Sequence, residues 1–159
     1  MKTIFLFLFI SSILLFSCKK PETEYKLSGI AVSEANLGEC FKKNYGLSKE
    51  VISDDSTYQL LRTKLLDSKA ECQNAQLNPI DFSKYTLLGN DLCTGGEECT
   101  KYIETKVTID DNNMQYICTI TIKGRFCLKF NKKCIDVMLW ILVPKLPSGY
   151  TVKFIAERI

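Results

Sequence analysis

The chain has 159 residues, with 21 basic and 18 acidic side chains, eight cysteines and no histidine. Its formal net charge of +3 is spread without a long basic run, so nothing marks a nucleic-acid footprint. The missing histidine removes Ser-His-Asp and Cys-His catalysis, histidine-ligated metals and histidine acid–base chemistry.

Met1-Lys2-Thr3 opens the chain, and an apolar run from Ile4 to Phe16 follows, broken only by Ser11 and Ser12. This is the charged start and apolar body of a secretory signal. The run has 13 residues, whereas a membrane-crossing helix needs roughly 20. It closes on Leu15-Phe16-Ser17-Cys18: aliphatic, variable, small, cysteine. That quartet resembles the lipobox of bacterial lipoproteins. The resemblance implies cleavage before Cys18, a diacylglycerol on its thiol and an acyl chain such as palmitate on the freed amino group. Two or more chains anchor a protein stably, where one is marginal. An ordinary secretory signal cut at a nearby small residue is the alternative. Lys19 is not the aspartate that holds many lipoproteins in the inner membrane, so the resemblance points to the outer membrane of the cell envelope. Lys19 and Lys20 followed by Glu22 and Glu24 resemble, in part, the surface-export tags of Bacteroidota lipoproteins, which leaves both the periplasmic and the surface face open.

Residues 1–17 are therefore read as signal peptide, 18–26 as a charged, proline-bearing tether, and 27–159 as one β-rich domain. Removing the first 17 residues leaves 142, enough for one domain with a real core.

Within the domain, Asp54-Asp55-Ser56 offers side-chain oxygens to cap a helix. Tyr58, Leu61 and Leu65, widened by Leu60 and Leu66, give that helix an apolar stripe over Thr57 to Ser68. Asn78-Pro79-Ile80-Asp81 breaks the chain, and Tyr85 to Leu88 predicts a short strand. Asp91 to Thr100 reads as a loop. The period then changes to two. Ile103, Thr105, Val107 and Ile109 alternate with polar residues, Asp110-Asp111-Asn112-Asn113 turns, and Met114, Tyr116, Cys118, Ile120 and Ile122 alternate in the return strand. Lys123-Gly124 predicts another turn, and Arg125 to Phe130 another strand. Cys134 to Val143 is apolar at nearly every position, which predicts a central strand covered on both faces. After Pro147-Ser148-Gly149, the segment from Tyr150 to Glu157 alternates as a last strand. The fold class expected is mainly β (α+β): an antiparallel sheet or sandwich of five to seven strands with one amphipathic helix, stapled by disulfides.

With Cys18 lipidated, seven cysteines remain, so at most three disulfides form and one thiol is left over. An oxidising compartment makes disulfides the default. The favoured pairs are Cys40–Cys72, Cys93–Cys99 and Cys127–Cys134, with Cys118 as the free thiol, buried in a strand. There is no Cys-x-x-Cys pair, so no zinc site is expected.

No catalytic residues, metal or cofactor are expected. The acid pairs Glu97-Glu98, Asp110-Asp111 and Asp54-Asp55 are candidates for glycosidase-type chemistry, which needs two carboxyl groups about 5–9.5 Å apart across a cleft. Adjacent acids diverge in extended chain, and each pair lies in a loop or cap, where solvated turn charges are the simpler reading. Asp110 to Asn113 lacks the spacing of the twelve-residue calcium loop.

Two longer segments carry a further resemblance. Ile80 to Gly89 (Ile-Asp-Phe-Ser-Lys-Tyr-Thr-Leu-Leu-Gly) and Trp140 to Pro147, with the cysteine-bearing strands between them, are similar to small uncharacterised lipoproteins of Bacteroidota. The Asp81-Phe82-Ser83-Lys84 start is similar, more distantly, to the β-domain of lipoproteins that stabilise a surface protease complex. No functional residues carry over from either. The function expected is a non-enzymatic binding or interaction module on the membrane, its partner an envelope protein or glycan. The alternative is an inhibitor or immunity protein against an envelope hydrolase, with Leu92 to Thr100, including Glu97 and Glu98, as its wedge.

Overall fold

The structure, a computed structural model, describes residues 24–35, 37–42, 48–68, 72, 78–94, 100–124 and 135–159. The alternating segments expected after residue 100 form the hairpin of β5 (Thr100–Asp110) and β6 (Gln115–Gly124). With β1 (Glu24–Gly29) and β8 (Thr151–Arg158) they make one sheet in the order β1-β5-β6-β8. A second sheet runs β2 (Ser33–Glu34), β7 (Ile135–Pro144), β4 (Tyr85–Thr94) and β3 (Lys49–Ile52). The described residues also form two helices, α1 (Glu39–Lys42) and α2 (Asp55–Ser68).

The mainly β class is the fold found, and several details correct the sequence reading. The described strands number eight, and β1 pairs β5, and β6 pairs β8, in parallel rather than antiparallel fashion. Between β6 and β8 the chain visits the other sheet as β7, and a strand reached by such a round trip returns in its original direction. Glu24 to Lys26, assigned to the tether, pair with Tyr102 to Glu104 as part of β1. The strand beginning at Tyr85 continues to Thr94 instead of ending at Leu88, and β6 runs through Lys123 and Gly124, where a turn was expected. The strand expected over Arg125 to Phe130 lies outside the described residues.

Gly29 is where the chain changes sheets. Its φ is +74°, and a Cβ there would collide with the Val107 carbonyl oxygen. The amide of Ile30 then donates to Val107 O (2.9 Å) and that of Val32 to Leu142 O (2.8 Å), which hands the chain from the first sheet to the second.

The expected two-faced strand is β7. Leu139, Ile141 and Val143 face the first sheet, packing with Leu88 and Leu92 of β4 against Ile103, Val107, Tyr116, Cys118, Ile120 and Ile122. Met138 and Trp140 face the other way, with Leu87 and Ile52, onto Phe41 of α1 and Tyr58 and Leu61 of α2. The domain is thus three layers deep: sheet, sheet, helices. Full burial of each large apolar side chain contributes about 1.5–3 kcal/mol, so both interfaces of the middle sheet matter.

A disulfide joins Cys40 to Cys72, Cα atoms 5.8 Å apart, and closes a sequence separation of 32 residues across the helical layer. A cross-link of that span stabilises by roughly 3–4 kcal/mol, chiefly by restricting the unfolded chain. Of the other favoured pairs, Cys99, Cys127 and Cys134 lie outside the described residues, as does the side chain of Cys93. Cys118 is a free, fully buried thiol in β6.

Gly89 lies under the Trp140 ring, where a Cβ would collide with Cζ3. The indole cannot retreat, because its Nε1–H donates to the buried Phe41 carbonyl at 2.7 Å. Gly89→Ala is expected to destabilise the fold by about 1–3 kcal/mol through overpacking. Urea unfolding of the two proteins measures the difference, and an unchanged midpoint would show that Trp140 is free to move.

Candidate functional site

Asp54 sets the start of α2. Its Oδ1 accepts the Thr57 amide (2.8 Å) and its Oδ2 the Thr57 hydroxyl (2.9 Å). These bonds, that from the backbone amide first, hold the Asp54 carboxyl below its ordinary pKa of 3.8. The helix is seated by Tyr58, whose hydroxyl donates to Asn78 O (3.0 Å) and whose ring meets Phe82 edge-on at 5.5 Å. Burial pushes the Tyr58 phenol up to about 12, so it stays a neutral donor. Lys145 pins the β7–β8 connection beside this layer, its Nζ donating to Ser53 O (2.6 Å) and Phe82 O (2.8 Å).

These anchors leave a groove between β3 and α2. Ile52 and Leu61 line it with Leu60, while Glu50, Thr57, Thr63 and Lys64 supply its polar parts. Its volume is about 250 Å³, below the roughly 300–1,000 Å³ of small-molecule pockets but ample for one apolar side chain. Leu60 is the correction to the expected helix stripe: it is 64% exposed, whereas Tyr58 and Leu61 are buried. Helical geometry accounts for this, since Leu60 lies about 200° around the axis from Tyr58. The side chains of Leu65 and Leu66 lie outside the described residues.

Strand β3 forms the other wall and, among the described residues, is an edge of its sheet. Ser48 O accepts from the Asp91 amide (2.9 Å), and Glu50 and Ile52 continue that alternation opposite Gly89 and Leu87. The backbone N–H and C=O groups of Lys49 and Val51 therefore point away from β4. Helix, groove and free backbone lie side by side.

The two described acid pairs are committed elsewhere. Asp54 is the helix cap, and Asp55 accepts from Gln59 Nε2 at 3.4 Å. Asp110 accepts from the Asn113 amide (3.2 Å) and from Asn113 Nδ2 (2.8 Å), the latter the larger cause of its lowered pKa. Asp111 accepts the Tyr150 hydroxyl at 2.8 Å. Glu97 and Glu98 lie outside the described residues. Among the described residues no three cysteine or acidic side chains gather into a metal cage.

The expected wedge, Leu92 to Thr100, is not a protruding loop at its start or end. Leu92 and Thr94 are buried in β4, and Thr100 is buried in β5. The loop expected from Asp91 is strand at its start: just before it Gly89 makes room for Trp140 and Asn90 is buried, and pairing with β7 continues to Thr94.

On the outer face of the first sheet, the Tyr102 ring has Lys26 Nζ at 5.3 Å and Lys123 Nζ at 5.7 Å from its centroid. That aromatic face is occupied by the protein's own cations. Burial pushes the Cys118 thiol up to about 11, leaving it a poor nucleophile at neutral pH. No described helix is long and apolar enough to cross a membrane. No family model, curated protein or solved structure matches the chain.

The caps make a pH prediction. Asp54, Asp81 and Asp110 all have folded pKa values lowered from 3.8. Their stabilisation is therefore complete above that value and is lost as pH falls through the lower, folded values. Urea midpoints measured between about pH 5 and pH 2.5 should drop, and the drop should shrink in Asp54→Asn and Asp110→Asn proteins. A drop as large as the wild type's in both variants would contradict this assignment.

Proposed function

We propose that the chain is an outer-membrane lipoprotein of the bacterial envelope whose folded domain is a non-enzymatic binding module for a protein partner, engaged at the β3–α2 groove. The observation that carries the reading is the open apolar groove lying directly against an edge strand. An extended segment of a partner adds to β3 through the free backbone groups of Lys49 and Val51, and one of its alternate side chains enters between Ile52, Leu60 and Leu61. Main-chain pairing supplies affinity and the side-chain pocket supplies selectivity, as in other strand-addition modes.

A protein partner suits the site better than a glycan. The groove sets Ile52, Leu60 and Leu61 among four polar residues and has no aromatic side chain in its lining, whereas sugar binding favours free aromatic faces, and the Tyr102 ring elsewhere is flanked by two lysines. An envelope hydrolase held in an inhibited state is one kind of partner this mode admits, docking at the groove instead of the Leu92 to Thr100 segment. The anchor rests on the lipobox at Cys18.

Leu60→Asp places a charge in the groove at an exposed position, so the fold should survive. It is expected to weaken partner capture from the native envelope at least tenfold, while a photo-crosslinker at position 60 yields one discrete adduct and one at Asn112 does not. Adducts that are identical at both positions, or capture unaffected by Leu60→Asp, would contradict the groove. Cys18→Ala should shift the protein from the membrane to the soluble fraction, and continued membrane partition would remove the anchor.

A further inference from the structure

Strand β8 is the last strand of the first sheet, and among the described residues no strand lies on its outer side. Its backbone bonds fix which groups are free. The amides of Thr151 and Ile159 donate to Met114 O and Ile122 O (3.0 Å each), and Ile159 O accepts from the Gly124 amide (3.1 Å). In a strand this parity alternates, so odd positions from 151 to 159 bond to β6. Val152, Phe154, Ala156 and Arg158 point their N–H and C=O groups to the open edge.

We infer that the open edge of β8 pairs antiparallel with β8 of a second copy of this chain, making one continuous eight-stranded sheet across a two-fold axis at Ile155. Only even positions can exchange hydrogen bonds, which restricts the symmetric registers. The register centred on Ile155 bonds Phe154 to the second copy's Ala156 and Val152 to its Arg158. It pairs all nine residues from 151 to 159, where registers centred on Phe154 or Ala156 leave an end unpaired. It also sets Lys153 directly opposite Glu157 of the other copy, twice by symmetry, on the exposed face of the sheet. The neighbouring registers place Glu157 opposite a threonine or an isoleucine instead. On the inner face, Val152 and Phe154 already pack against the sandwich core, and the pairing extends that layer past the sheet edge. An isologous contact of this kind closes on itself and stops at two copies. Lys153 also lies within electrostatic reach of Asp110 on its own chain, and pairing gives that ammonium a second acidic neighbour.

Sedimentation velocity of the full chain in detergent tests this. The wild-type protein is expected to be a dimer. Lys153→Glu and Glu157→Lys each set like charges opposite one another twice and should weaken dimerisation roughly tenfold. The double reversal restores complementarity and should restore the dimer. Ile155→Cys brings two thiols into a non-hydrogen-bonded pair with Cα atoms about 4.5 Å apart, so mild oxidation should give a covalent dimer, whereas Thr151→Cys should not. A wild-type monomer at every concentration would overturn the inference, as would a dimer indifferent to both single reversals or crosslinking equally well from position 151.

Discussion

Trp140 sits where two layers meet. Its indole lies over Gly89, belongs to the buried cluster that holds Met138, Phe41 and Tyr58, and donates a buried hydrogen bond to the Phe41 carbonyl. The residues on either side of it, Leu139 and Ile141, point the opposite way into the sandwich. One strand therefore couples the helical layer to both sheets. A buried N–H left without its acceptor would cost about 1–3 kcal/mol, which fixes α1 against β7 and brings Cys40 to the place where it bonds Cys72. Once the helical layer is placed in this way, the position of α2 relative to β3 follows, and with it the groove.

That dependence explains why the exposed features sit where they do. The middle sheet has both faces covered, so among the described residues it is open at its edges, and the β3 edge adjoins the helix that covers it. The first sheet has one covered face and one polar face, the alternation that antiparallel hairpins facing water adopt. Thr119, Thr121, Glu104 and Lys106 occupy that outer face, while Ile103, Thr105, Ile120 and Ile122 are buried. Asp54, Asp110 and Asp111 are engaged in the cap and the hairpin turn that hold these elements in place.

Features encoded by local periodicity were legible in the sequence. The two-residue period from Ile103 to Ile122 marks the β5–β6 hairpin, the nearly continuous apolar run ending at Val143 marks the two-faced β7, and Asp54 marks the start of α2. Features set by distant contacts were not. The parallel pairings of β1 and β8 leave no local signature, because direction depends on where the chain goes between the strands. Glu24 to Lys26 are charged and polar because β1 is an exposed edge strand, so they read as tether. Asp91 to Thr94 read as loop because what holds them in a strand is pairing with β7, far along the chain. The groove was within reach, since counting around the helix from Tyr58 already sets Leu60 on another face. The pairing of Cys40 with Cys72 was one choice among many and needed the fold to single it out.

Native-state hydrogen exchange tests the coupling through β7 most directly. If β7 binds the layers into one cooperative unit, the amides of Leu139 to Val143, those of the paired β4 residues and those of the β5–β6 hairpin exchange only through global unfolding, at one common free energy. Exchange of the β7 and β4 amides at a markedly lower free energy than the hairpin would show that the first sheet stands without them and would contradict the account.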